Sequence, residues 1–357
     1  MSFKCGIVGL PNVGKSTLFN ALTTSKRAQA ENFPFCTIDP NIGIVAVPDE
    51  RLNKISTISK SIKTINTAIT FVDIAGLVKG ASKGEGLGNK FLSHVREVDT
   101  IIHLTRCFES EKIQNVNEDI NPVMDIEIID TEILLADLES LQKRLEKSNK
   151  KKIDKDELIF LEECTKKINN GEKPEELKKK FDKNLIKKSA LLSHKPKIIV
   201  CNVDEKSLPD GNKYSDACKK KFPNENIIVV CADIEDQIMS LRTRDRKDFM
   251  LASGIKSTGL DNLIKTGYST LGLSTFFTSG PEESRAWTIE KKSKAADAAG
   301  VIHTDFKKKF IRAESVTYED FIKYKGFNEC KNAGKLRLEG KDYLVNDGDV
   351  MYFRTGS

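Results

Sequence analysis

A glycine-rich loop near the amino terminus constrains the fold of this chain more than any other feature. Residues 9–16 read Gly-Leu-Pro-Asn-Val-Gly-Lys-Ser, between the apolar run 5–8 and residues 17–22, which have helical spacing. Such a loop wraps phosphates with its backbone N–H groups, and the helix behind it adds its positive N-terminal end. Lys15 is then expected to reach the β- and γ-phosphates, and the Ser16 hydroxyl to bind Mg²⁺. The alternative interpretation is a glycine turn with a surface lysine.

Strand-like runs recur over the first 231 residues with helical segments between them, which is typical of an α/β domain with a mostly parallel sheet. These runs are 42–47, 68–73, 100–105, 197–201 and 227–231. Ligands of such sheets bind beyond the carboxyl ends of the strands. The phosphate loop, Asp73 and Asn202 all lie at such ends, so we expect them to share one site.

The alternation is interrupted after Asn121-Pro122 by two helical stretches, 125–147 and 156–168. Their apolar stripes are Ile128, Leu134, Leu138, Leu141 and Leu145, then Leu158, Leu161 and Ile168. Two antiparallel helices that bury these stripes would form a projecting arm, but helices packed on the sheet would show the same pattern.

Residues 141–190 contain 16 basic and 10 acidic residues, an excess equal to the net charge of +6 for the whole chain. This surface suits a phosphate-bearing partner such as RNA, or is simply solvated.

After Gly280-Pro281 the pattern changes to short strand-like pieces at 285–289, 299–306, 341–345 and 347–353. Asp347-Gly348 between apolar runs predicts a β-hairpin. We therefore expect a compact α+β domain after a linker near residues 271–281. The predicted organisation is a nucleotide-binding domain at 1–122 and 193–275, an inserted helical arm at 123–192, and a C-terminal domain at 276–357.

Composition indicates a soluble, globular, cytosolic protein. The chain is 39% hydrophobic and 31% charged, has no apolar run of the length that spans a bilayer, and does not begin like a secretory signal. Its eight cysteines include no Cys-x-x-Cys pair, so we expect reduced structural thiols and no zinc ligands. We also expect a monomer.

Further parts of a nucleotide switch follow the phosphate loop in the order that the chemistry requires. Thr37 precedes the strand at 42–47, where its hydroxyl would complete the Mg²⁺ shell and sense the γ-phosphate. Asp73-Ile74-Ala75-Gly76 follows a strand, so Asp73 would hold the metal through water and the Gly76 N–H would bind the γ-phosphate. Leu77 stands where many related hydrolases have a glutamine that orients water, so we expect hydrolysis to be slow or supported by another group.

The segment Asn202-Val203-Asp204-Glu205 follows the strand at 197–201 and is expected to select the base. A guanine pocket of this architecture normally reads Asn-Lys-x-Asp, but here Val203 replaces the lysine and Glu205 replaces the aspartate. The longer Glu205 side chain moves the carboxylate away from guanine, whereas backbone groups near Val203 and residues 231–233 could read adenine. The residues alone favour ATP over GTP only slightly.

Together these motifs resemble the YchF-type Obg-like ATPases, a branch of the translation-factor-related P-loop proteins. The similarity extends over essentially the whole chain, through residues 4–16, 32–37, 71–81, 202–205, 285–289, 302–306 and 347–350. The resemblance implies an α/β fold with a P-loop NTPase G domain, a coiled-coil arm inserted into it, and a C-terminal α+β TGS domain. It also implies preference for ATP and association with ribosomes, so that Mg²⁺-ATP would order a switch and hydrolysis would release it. A GTPase switch and a non-catalytic RNA or protein scaffold are the alternatives.

Transferred to this sequence, the family's nucleotide loop falls on Asn12, Val13, Gly14, Lys15, Ser16 and Thr17, and its base motif on Asn202, Val203 and Glu205. The family's Mg²⁺ ligands fall on Ser16 and Thr37, and we add Asp73 as a third metal-binding residue. We expect Lys15, Thr37 and Gly76 to carry catalysis. Family members often have a histidine in the loop after the segment at 106–109, where this chain has Asn115. His103 lies within a strand-like run and is expected to be a core residue. The ending at 354–357 also differs from the family's usual apolar one.

Overall fold

The computed structural model describes residues 3–27, 41–74, 87–110, 119–148, 154–253, 255 and 257–356. In this part of the chain, two six-stranded sheets carry the architecture. The strands are β1 Lys4–Val8, β2 Ile42–Ala46, β3 Lys63–Ile65, β4 Ala68–Asp73, β5 Thr100–Arg106, β6 Lys197–Asn202, β7 Asn226–Val230, β8 Leu273–Ser279, β9 Glu283–Glu290, β10 Phe310–Val316, β11 Arg337–Glu339 and β12 Val350–Thr355. The helices are α1 Lys15–Arg27, α2 Glu50–Ser59, α3 Leu87–Glu97, α4 Pro122–Ser148, α5 Lys155–Asn169, α6 Leu177–Lys180, α7 Lys183–Ser189, α8 Lys213–Lys221, α9 Ala232–Ser240, α10 Thr243–Ala252, α11 Gly259–Thr270, α12 Ala295–Ile302, α13 Thr304–Lys308, α14 Tyr318–Tyr324 and α15 Phe327–Asn332.

The first sheet has the strand order β2-β4-β1-β5-β6-β7 and is parallel except for β2, which runs antiparallel to β4. Every residue of β5 and β6 is buried, as expected for central strands of a sheet that is covered on both faces. The five strand-like runs of the sequence match β2, β4, β5, β6 and β7 to within one residue. The predicted α/β class with a mostly parallel sheet is therefore confirmed.

The helix α4 belongs partly to the sheet and partly to the arm. Along its first half, Ile129 and Ile133 pack into the core of the first sheet. Along its second half, Leu141 joins a separate cluster with Phe160 and Leu161 of α5. Both interpretations of the apolar stripes therefore apply, each to one half of the helix. The described residues of the basic region 141–190 pack around a core of their own.

The second sheet has the order β11-β10-β12-β8-β9-β3 and recruits an element from far upstream. β3 pairs in parallel with β9, and α2 packs on the same sheet. Leu52 and Ile55 of α2 are fully buried in a cluster with Phe277 of β8 and Phe321 of α14. The division at residues 122, 193 and 275 stays a prediction, but residues 50–65 contribute to the sheet that the C-terminal segment forms.

Three local expectations for the C-terminal segment are wrong. Residues 299–306 are helical, because the alanine-rich run of α12 favours a helix. The run 271–281 is no linker, since β8 lies inside the second sheet. Residues 341–345 form a turn with one isolated bridge instead of a hairpin strand. The Gly348 N–H donates to Thr275 O at 2.8 Å, so the Asp347-Gly348 turn docks on β8.

No helix in the described residues is long and apolar enough to cross a membrane. The seven described cysteines are free and buried, and Cys36 lies outside this part of the chain. The Sγ atoms of Cys107, Cys201 and Cys218 lie within 4.8 Å of one another, an approach that the sequence did not indicate.

Candidate nucleotide-binding site

The phosphate loop joins β1 to α1, and its shape depends on two glycines. Gly14 has a φ of +90°, and a Cβ at this position would overlap the Asn202 Nδ2 atom. At Gly9, a Cβ would lie 2.6 Å from the Leu104 carbonyl oxygen. The Leu18 N–H donates to Gly14 O at 3.0 Å, which starts the helix immediately behind the loop. The loop is therefore held against two neighbouring strands, with the N-terminus of α1 at its end.

Asp73 lies beside the loop because β1 and β4 are adjacent parallel strands. Ile7 pairs with Asp73 in register, and the Asp73 N–H is fixed by Asn41 O at 2.8 Å. The Lys15 Nζ atom forms an ion pair with Asp73 Oδ1, and both side chains remain partly exposed. The structure thus brings together the ammonium and the carboxylate that the sequence singled out.

The side chains suited to a metal lie on the open side of the loop. Ser16 is exposed in the first turn of α1, and Thr17 beside it is half-buried. A serine hydroxyl and the Asp73 carboxylate are hard oxygen donors, the class of ligand that Mg²⁺ prefers. Asn12 is exposed at the tip of the loop, with a φ of 65°. The donor set fits Mg²⁺.

Asn202 connects three segments around the phosphate loop. Its Nδ2 donates to Val13 O at 3.0 Å, and its Oδ1 accepts from the Ala232 N–H at 3.0 Å. Its backbone carbonyl accepts from the Cys107 N–H at 2.8 Å. The Asn202 side chain is only 4% exposed, so both amide atoms hold the loops together. Sequence reasoning assigned Asn202 to the base, and the structure adds this bracing role.

The rest of the base motif divides into a buried residue and an exposed one. Val203 is 2% exposed, and its N–H donates to Val230 O at 2.8 Å. Its backbone donor is therefore engaged within the protein. Glu205 begins a short 3₁₀ turn whose N-terminus is capped by Asp204, which accepts from the Ser207 N–H at 3.0 Å. The Glu205 side chain is exposed at the rim of the site.

Four positions of the sequence argument, Thr37, Gly76, Leu77 and Asn115, lie outside the described residues. Their roles stay predictions.

Arg106 is a buried cation at the same edge of the sheet, and the sequence argument gave it no role. It ends β5 at 5% exposure, and its Nε donates to Phe108 O at 3.0 Å. Its guanidinium lies 4.8 Å from the centre of the Phe108 ring, and burial lowers its pKa. An arginine at the carboxyl end of a buried strand is the only sequence signal that could have marked it.

His103, three residues earlier, is fully buried, so its expected place in the core is confirmed.

Comparison with known proteins relates the two ends of the chain to separate families. Residues 4–134 match the family MMR_HSR1, described as a 50S ribosome-binding GTPase. Residues 273–356 match the family YchF-GTPase_C, described as a protein of unknown function.

Several curated proteins are similar over the full length. The chain is 48% identical over 365 residues to the ribosome-binding ATPase YchF of Bacillus subtilis (strain 168), covering 99% of each chain. It is 48% identical over 361 residues to the protein of that name from Escherichia coli O157:H7, again covering 99% of each. The solved structure of the Schizosaccharomyces pombe YchF GTPase superposes with a TM-score of 0.88 at 37% identity, covering 99% of this chain and 98% of that one.

Proposed function

Because the chain belongs to the YchF family, we propose that it is a ribosome-binding ATPase that works as a Mg²⁺-dependent nucleotide switch. The names of its full-length relatives support both the ATPase activity and the ribosome as partner. The observation that carries the proposal is the phosphate loop, in which Gly14 lies against Asn202 and Lys15 contacts Asp73. An ammonium, a carboxylate and a helix N-terminus therefore lie together, and all three are partly exposed to solvent.

Binding of the triphosphate would exchange the partners of Lys15. Its ammonium moves from Asp73 to the β- and γ-phosphates, where it offsets negative charge. The freed Asp73 carboxylate, the Ser16 hydroxyl and Thr37 would then hold Mg²⁺, which supplies further neutralisation of the phosphate oxygens. The Gly76 N–H is proposed to donate to the γ-phosphate. Leu77 has no group that could orient water, so we expect turnover to be slow.

The geometry around Asn202 supports ATP as the nucleotide. Recognition of guanine by an Asn-Lys-x-Asp motif uses a lysine stem against the ring and a short carboxylate. Here Val203 is buried under the strand end, and Glu205 is longer and exposed. The backbone of residues 231–233, which Asn202 holds through the Ala232 N–H, is the proposed reader of adenine.

The remaining parts of the proposal concern where and with what the chain acts. We propose a monomer in the cytosol, where ribosomes are found. The basic surface of residues 141–190 and the second sheet are the proposed ribosome contacts, because their cores are separate from the core of the nucleotide domain.

Turnover measurements test the enzyme. Lys15→Ala is expected to lower the ATPase rate by about 100-fold or more, because it removes a charge that stabilises the transition state. Lys54→Ala is the matched control, since Lys54 is exposed on α2. Competition between ATP and GTP in the same preparation identifies the base. Unchanged turnover in Lys15→Ala would refute the ATPase, and preferential binding of GTP would favour the GTPase alternative.

Ribosome co-sedimentation tests the partner. We expect pelleting to differ between the nucleotide-free protein and the protein with a non-hydrolysable ATP analogue. Identical and negligible pelleting in both states would refute ribosome binding without affecting the ATPase result.

A further inference from the structure

A polar cavity of about 210 Å³ lies at the end of the first sheet opposite to the phosphate loop. It is bounded by the amino ends of β5 and β6, by α4 and by the segment around α6. One water needs roughly 10–15 Å³ of such space, so the cavity has room for a larger occupant. The lining residues that matter are Ile101, His103, Asp130, Lys173, Lys178 and Lys197.

His103 is a buried polar residue on the wall of this cavity. It lies in the middle of β5, in register with Val8 of β1 and Ile199 of β6, and is 1% exposed. Neither ring nitrogen has a hydrogen-bond partner among the described residues. A buried polar group without a partner is destabilising, so an occupant that bonds to the ring would be favoured.

The imidazole is neutral in this environment. Burial is the largest influence and lowers the pKa of His103 to about 3. A neutral imidazole offers one N–H donor and one nitrogen acceptor. The two ring nitrogens point in diverging directions, so one small occupant bonds to one of them, and the oxygen of an anion suits the N–H.

The charges around the cavity leave one ammonium without a hydrogen-bonded partner among the described residues. Asp130 Oδ2 accepts from both Lys173 Nζ and Lys197 Nζ, each at 2.8 Å. Lys195 Nζ donates to the backbone carbonyls of Arg96 and Val98. Lys178 makes no hydrogen bond or ion pair with any residue in the part of the chain that the structure describes, although Glu175 and Glu225 attract its ammonium from farther away.

The acidic groups limit the charge that the cavity accepts. Four lysines line it, against the carboxylates of Asp130, Glu175 and Glu225. Glu225 already faces Lys197, with 3.5 Å between Oε1 and Nζ. The small positive excess favours an anion of low charge over a nucleotide triphosphate.

We propose that this cavity is a second ligand site, which binds a small oxyanion of the hydrogen phosphate class. Its charged oxygens accept hydrogen bonds from the Lys178 ammonium and from the imidazole N–H of His103. Lys173 and Lys178 come from the segment that returns from the arm, Asp130 comes from the half of α4 that packs on the sheet, and His103 and Lys197 come from the sheet itself. The bound anion therefore ties the base of the arm to the nucleotide domain.

Histidine NMR tests the site directly. The chain has four histidines, so the ring C–H signals of ¹³C-labelled protein are few, and His103→Gln identifies the one from His103. The titration uses Lys15→Ala protein, in which the phosphate loop lacks its ammonium. Inorganic phosphate is added in one arm, glycerol phosphate in a second, and sodium chloride of equal ionic strength in a third.

We expect the His103 signal to shift saturably with phosphate and to be unaffected by chloride. Lys178→Gln should weaken this binding by about tenfold, the effect of losing one charged hydrogen bond. Lys179→Gln is the matched control, because Lys179 is exposed beside it and does not line the cavity. Tighter binding of inorganic phosphate identifies a free ion, and tighter binding of glycerol phosphate identifies a phosphate ester.

Three results would overturn the proposal. A His103 signal that does not move with either phosphate means that the cavity holds water only. An equal shift with chloride means a response to ionic strength. Equal weakening in Lys178→Gln and Lys179→Gln means that phosphate binds elsewhere through general charge attraction.

Discussion

Asn202→Ala tests whether one buried amide holds the nucleotide site together. The substitution removes the donor to Val13 O and the acceptor from the Ala232 N–H, both at 3.0 Å. Each buried backbone group that loses its partner costs about 1–3 kcal/mol, so two groups cost about 2–6 kcal/mol. Because water can enter from the open side of the loop, we expect a loss near the lower end, about 3 kcal/mol in the free energy of unfolding.

The same substitution should weaken nucleotide binding. Once Val13 is released, the loop must be ordered when the phosphates bind, and ordering one residue costs about 1–2 kcal/mol. ATP affinity should therefore fall by about tenfold. Urea unfolding followed by circular dichroism measures the first effect, and calorimetric titration with a non-hydrolysable ATP analogue measures the second.

Two further variants sharpen the result. Asn226→Ala is the control, because Asn226 is exposed and its amide donates to Thr270 Oγ1 at 3.0 Å. We expect this substitution to lower the free energy of unfolding by less than about 0.5 kcal/mol. Asn202→Asp keeps the acceptor for Ala232 but turns an oxygen toward Val13 O, so it should also weaken binding. If Asn202→Ala left both the unfolding free energy and ATP affinity as in Asn226→Ala, the bracing role would be refuted.

Two other predictions concern parts remote from the phosphates. Burial raises the pKa of Glu235 to about 7, so the folded chain binds its proton more tightly than the unfolded chain does. The unfolding free energy should therefore fall by about 3 kcal/mol as pH rises from about 4.5 to 7. Glu235→Gln can still accept from the Gly259 N–H but cannot titrate, so urea titrations at pH 5 and 8 should show no such fall in the variant. The same fall with pH in both proteins would contradict this prediction. Leu52→Ala should destabilise the second sheet by about 2–5 kcal/mol, seen in the urea-dependent fluorescence of Trp287, the single tryptophan. Ile62→Ala, at a side chain 77% exposed, should have almost no effect, and equal losses in both would refute the packing argument.

Much of the nucleotide site was predictable because its geometry is local. A strand, a turn that requires a positive φ at Gly14 and a helix starting at Lys15 follow each other without a break. The site of Asp73 followed from strand periodicity, because neighbouring parallel strands end at one edge. The bracing by Asn202 could not be predicted, since it depends on where Val13 and Ala232 come to lie.

The C-terminal segment shows where short-range patterns fail. The run 299–306 looks strand-like in isolation, but alanine at the start of α12 and the contact with β9 favour a helix. Asp347-Gly348 has the composition of a hairpin, yet the hydrogen bond from Gly348 to Thr275 docks it on another strand. The partner of a turn is chosen by packing, and the dipeptide carries no information about it.

By itself, the sequence determined the phosphate loop, the parallel sheet and the family, because each of these depends on motifs whose residues are close together in the chain. Only the tertiary structure decided that α2 and β3 complete the C-terminal sheet, that Asn202 braces the loop, and that His103 faces a charged cavity at the base of the arm. These features join residues that are far apart in the chain, such as Lys63 and Glu283, which are about 220 positions apart. Such pairings depend on which buried surfaces fit together, and local spacing does not encode that fit.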